Sequence, residues 1–116
     1  MLFRSALESI RFQINLDICG TGDEGIQVVN GSVLRPEFER LVAINDHFAL
    51  LEKVKSRGER CNSDHCPFYL RGVPAFFIYT LGGARHYHDV YDTEEALTLS
   101  EFEDLHRLLT HFINGF

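Results

Sequence analysis

"VPAFFIYTLGG", residues 73–83, is an apolar run with a glycine on either side, Gly72 before it and Gly82 at its end. No charged residue interrupts it, and both sets of alternate positions are apolar or weakly polar. A strand with one wet face alternates, whereas a strand covered on both faces reads as a continuous apolar run. Helices must then lie on both sides of the sheet. The run therefore predicts residues 73–81 as an interior strand and the chain as an α/β layer structure.

Upstream, "RFQINLDIC" (11–19) alternates, with Phe12, Ile14, Leu16 and Ile18 pointing one way and Arg11, Gln13, Asn15 and Asp17 the other, so it predicts a strand. The glycines of "GTGDEG" (20–25) break that strand, and "IQVVNG" (26–31) reads as another, ending in an Asn-Gly turn. Residues 2–9 read as a short helix with Leu2, Ala6 and Leu7 on one face. "PEFERLVAINDHFALLEKVKSRG" (36–58) reads as one long helix. Pro36 suits its first turn, Phe38, Leu41, Val42, Phe48, Leu51 and Val54 follow the 3.6 period, and Gly58 is its natural stop. "SDHCPFYLRG" (63–72) predicts a short helix capped by Ser63. "TLSEFEDLHRLLTHFI" (98–113) predicts a closing helix with capping boxes at Thr98/Glu101 and Ser100/Glu103, and with Phe102, Leu105, Leu109 and Phe112 inward.

Composition narrows the function classes. At 116 residues the chain predicts a single domain over 1–116 that is large enough to bury a core. Eleven Lys and Arg against seventeen Asp and Glu leave a net charge of −6, which argues against nucleic acid or an anionic membrane as partner, since both require a basic patch. No stretch approaches the ~18 apolar residues of a membrane span. "MLFRSALESI" has no apolar core of signal-peptide length, so no export signal is expected. Three cysteines are an odd count and too few for a disulfide scaffold, and Cys61 and Cys66 are not expected to bridge unless the loop between them allows it.

Three polar clusters carry the functional question. Asp17 ends a predicted strand, Asp64 and His65 begin a predicted helix, and Tyr87, His88 and Asp92 follow the interior strand. Sites in open α/β sheets gather outside the carboxyl ends of strands. Imidazole and carboxylate are zinc ligands, and a neighbouring carboxylate such as Asp89 or Asp92 would orient a metal-bound His88. From residue type alone, solvent exposure is the plainer account of His88, Asp17 and Asp64. His47, His86, His106 and His111 read as surface residues. "GTGDEG" is no phosphate loop, because no Lys-Ser/Thr follows and Asp23 and Glu24 would repel an anion.

Taken together, "INLDICGTGDEGIQVVNG", "NSDHCPFYLRGVPAFFIYTLGG" and "YHDVYDTEEAL" resemble, in order and spacing, the di-zinc aminopeptidases of the zinc exopeptidase clan. The shared pattern is N-L-D-x-x-G, then S-D-H-x-P-F-x-x-x-G-V-P-A, then Y-H-x-x-x-D-T-x-x-x-L, and it spans essentially the whole chain. The resemblance implies a three-layer sandwich fragment, a mixed sheet flanked by helices. It implies Asp17 as a ligand of one zinc, His88 as a ligand of the other, Tyr87 as an oxyanion stabiliser and Asp92 as the carboxylate that orients the ligand His. Asp64 and His65 would support a peptide pocket.

In that family a His-x-Asp segment and a Glu-Glu segment precede the N-L-D strand and supply the bridging carboxylate and the general base. The sixteen residues before Asp17 contain neither, and Glu8 is their only carboxylate. Asn62 stands where some relatives carry Arg. The chain thus corresponds to the C-terminal half of an aminopeptidase domain, expected to bind zinc weakly or not at all by itself, to cleave no peptide alone and to self-associate. A glutaminyl-cyclase-like relative and a non-catalytic α/β association module are the alternative readings.

Overall fold

The computed structural model describes residues 8–17, 24–81 and 102–116. Within them the chain runs β1 (Gln13–Leu16), β2 (Gly25–Val29), α1 (Arg35–Phe48), β3 (Val54–Arg57), α2 (Cys66–Leu70), β4 (Ala75–Leu81) and α3 (Phe102–Asn114). The strands form one mixed sheet in the order β1-β4-β2-β3. β4 is interior, parallel to β1 with Gln13 opposite Ala75 and antiparallel to β2 with Val28 opposite Ile78. β2 and β3 are parallel and are joined through α1, as a parallel pair requires. The α/β class and the interior placement of the apolar run both hold.

Register assigns the two faces. Phe76 and Ile78 of β4, Ile26 and Val28 of β2 and the half-buried Phe12 and Ile14 beside them look toward α1 and α3. There they meet Leu41, Leu105, Leu108, Leu109 and Phe112 in one core. Phe112 anchors it, its ring 5.7 Å from Phe12 and 6.1 Å from Phe76, with the Arg40 guanidinium 4.3 Å above it. The opposite face carries Asn15, Ala75, Phe77 and Tyr79, and the segment leading into α2 covers part of it. Among the described residues no helix is long and apolar enough to cross a membrane.

Several expectations need correction. The long helix stops at Phe48, where Ala49 turns left-handed (φ 51°, ψ 53°) and its N–H bonds to Asn45 O. Asn45 then brackets the next turn: its Nδ2 donates to Leu51 O and its Oδ1 accepts from Leu51 N–H. Leu50 and Leu51 plug the core from this turn, and Val54 belongs to β3. Their helical spacing is coincidental. Phe48 lies at the surface, stacked on His111 at 4.2 Å, and Phe102 is 60% exposed because it opens α3 beyond the edge of the core. Ser63 does not cap α2; the helix begins at Cys66 with His65 at its N-cap and no side-chain cap bond. Cys61 and Cys66 do form a disulfide, their Cα atoms 4.9 Å apart, because the turn through Ser63–Asp64–His65 folds the loop back on itself. Residues 2–7 of the first predicted helix and the boxes at Thr98/Glu101 and Ser100/Glu103 lie wholly or partly outside the described residues.

Candidate functional site

Because β1 and β4 are parallel, their carboxyl ends lie at the same end of the sheet. Asp17 sits there, immediately after β1. Its backbone N–H continues the ladder to Ile78 O at 3.3 Å, and its side chain is on the exposed side of the strand end. β4 continues to Leu81 and leaves the sheet from this end into the segment that carries Tyr87, His88 and Asp92. Those three residues, and His86, lie outside the described residues. The topology thus brings Asp17 and Leu81, the last described residue of β4, to one sheet end, the place where strand polarity builds sites.

The Ser-Asp-His segment meets the same two strands. Asn15 Nδ2 donates to Ser63 Oγ at 2.7 Å across 48 residues of sequence. Two positions on, the His65 ring is fully buried and stacks on Phe77 at 5.8 Å with an interplanar angle of 21°. His65 Nε2 lies 2.6 Å from Arg60 O. A carbonyl oxygen only accepts, so Nε2 donates this bond, and Nδ1 is buried with no hydrogen-bond partner among the described residues. Asp64, between the two tied residues, is exposed. Ser63 and His65 are therefore fixed to β1 and β4, and Asp64 is held out from them.

A second buried amide secures the approach to this segment. Asn30, fully buried at φ 71°, donates from Nδ2 to Ala75 O at 3.1 Å and accepts at Oδ1 from Arg60 N–H at 3.1 Å. Farther out, Arg57 Nη1 donates to Tyr79 Oη at 2.9 Å, and Tyr69 Oη donates to Glu59 Oε2 at 2.8 Å. That bond to a carboxylate, with some desolvation and the carboxylate's charge, raises the Tyr69 phenol above its ordinary value.

Asn15, Asn30 and the Cys61–Cys66 bridge are the residues that the sequence reading missed. The one available signal was the pair of cysteines flanking Asn62–His65. Asn15 looked like any polar residue of an alternating strand, and Asn30 like an ordinary turn residue.

Of the two implied zinc ligands, the described residues contain only Asp17, and among them no three His, Cys, Asp or Glu residues stand together as a metal-holding group. In comparison with known proteins, the sequence model of peptidase family M28 matches residues 2–113. No curated protein and no solved structure matches the chain.

Proposed function

The chain belongs to peptidase family M28, and from that premise we propose that it serves the removal of N-terminal residues from peptides. In this reading it contributes Asp17, Tyr87, His88 and Asp92 to a zinc-dependent aminopeptidase site. The observation that carries it is the family match over nearly the whole chain, coupled to three motif blocks in the family's order. Bound zinc would supply a water acidic enough to attack a peptide carbonyl near neutral pH. Asp17 and His88 would each hold metal, Asp92 would orient His88, and the Tyr87 hydroxyl would donate to the carbonyl oxygen as it gains charge. Ser63 and His65, tied to β1 and β4, would set the wall of the peptide pocket from which Asp64 projects.

The 116 residues alone are proposed to be inactive. A catalytic zinc takes about three protein ligands and an open position. Asp17 and His88 are assigned to different ions, so each ion would have one direct ligand from this chain. A general base contributes ~10²–10⁴-fold, and the family's Glu-Glu does not precede Asp17 here. Aminoacyl-nitroanilide assays with added zinc, beside metal analysis of the same sample, test this. The expected result is no turnover and far less than one zinc per chain. Turnover that disappears in His88→Ala would overturn the inactive assignment and support the catalytic one; tight zinc retained in both Asp17→Ala and His88→Ala would overturn the ligand assignment.

Self-association belongs to the same reading. Among the described residues no strand pairs with the outer side of β1, and Leu16 on that edge is 48% exposed. An unpaired edge is a template for a second strand, and two copies would close it about a two-fold axis. Light scattering should show dimers that Leu16→Lys disperses, and a monomer at high concentration would count against the pairing.

A further inference from the structure

Cys61 and Cys66 close a ring around Asn62, Ser63, Asp64 and His65. Cys61 is exposed, and Cys66 is half-buried as the first residue of α2. Side chains tie this ring and its approach to the sheet: Ser63 to Asn15, His65 to Phe77, and Arg60 N–H to Asn30. The hydrophobic core on the opposite face takes no residue from 58–72. A segment held this way can open locally while the rest of the fold stays closed.

We propose that the Cys61–Cys66 bridge is a redox latch that positions the Ser-Asp-His segment on β1, next to the strand end that carries Asp17. A dithiol reductant opens it. One thiolate of the reductant attacks the exposed Cys61 sulfur, the Cys61–Cys66 bond breaks, and Cys66 leaves as a thiolate that takes up a proton. The reductant's second thiol then displaces Cys61 and closes its own disulfide. The chain gains two electrons and two protons, and the reductant loses the same. Once released, residues 61–65 keep the Asn15–Ser63 bond, the stacking of buried His65 on Phe77 and the backbone bonds of the first turn of α2, but lose their one covalent closure. The latch requires no metal and does not rest on the peptidase assignment.

Hydrogen exchange on the full chain tests this in three states: oxidised, reduced with dithiothreitol, and re-oxidised with glutathione disulfide. Iodoacetamide labelling confirms each state, with the reduced chain taking two more labels than the oxidised one. Amides of 59–66 should exchange about tenfold or more faster on reduction, while those of α1 and α3 hold, and re-oxidation should restore them. The double variant Cys61→Ser with Cys66→Ser should show the reduced pattern without reductant. Asn15→Ala should loosen Ser63 while the bridge stays intact. Unchanged exchange at 59–66 after confirmed reduction would overturn the proposal. So would a bridge that dithiothreitol cannot reduce in the folded chain. Faster exchange throughout α1 and α3, or a double variant that does not fold, would make the bridge a staple of the whole fold and equally overturn it.

Discussion

Two buried asparagines do work that backbone does elsewhere. Asn45 satisfies both the N–H and the C=O of Leu51, in a turn with no ladder to satisfy them. Asn45→Ala strands both groups beside buried Leu50 and Leu51, so urea unfolding should show a loss of about 2–4 kcal/mol. Tyr69 offers a pH-dependent counterpart. By accepting a hydrogen bond from the phenol, the Glu59 carboxylate keeps Tyr69 protonated in the folded chain to higher pH than in the unfolded chain. Its folded value is raised, so the native state binds the proton more tightly. The stability this contributes is complete below about pH 10 and is lost as pH rises through the folded value. In a titration of tyrosinate absorbance the Tyr69 phenol should ionise late, and Glu59→Ala should return it toward about pH 10. Residue roles of this kind were only partly legible in sequence. Asp17 was correctly placed at a strand end by the alternation of its neighbours. Asn15 follows the same alternation, yet its partner Ser63 lies 48 residues away, and no local pattern encodes that distance.

At the scale of elements, β4 was readable from a short apolar run bounded by glycines and α3 from its helical period. The stretch 49–57 was not. Leu51 and Val54 continue the period of α1, and no glycine or proline interrupts before Gly58, so local spacing favoured helix. Tertiary pairing decided otherwise: Ile26 through Val29 take Val54 through Arg57 as a parallel partner. The break falls at Ala49, a left-handed residue with a Cβ where helices usually place glycine. Ala49→Gly relieves that strain and should raise the stability by about 1 kcal/mol, read as an upward shift in the thermal midpoint. Gly25→Ala should act in the opposite sense. At φ 100° it would force an alanine into the glycine region and drive the new methyl into the Lys53 backbone, at a loss of at least about 2 kcal/mol.

For the whole molecule, the position of β4 between β1 and β2 governs the order in which the chain assembles in time. Among the described strands β1 comes first in the chain, yet its partner β4 comes last. β2, α1 and β3 can pair as soon as they are complete, since they are consecutive in the chain. The sheet then waits for β4, whose five-residue register with β2 places Phe76 and Ile78 in the core before the four-residue edge with β1 needs to form. Long-range pairing of this kind slows folding, because the connecting chain must be closed before any contact offsets it. In stopped-flow refolding, Ile78→Val should slow the folding limb, whereas Ile14→Ala should leave it nearly unchanged and speed unfolding. Of the four described strands, β1 precedes the others in the sequence yet would be the last to find its place, and until it does its apolar side stays open to whatever else is nearby.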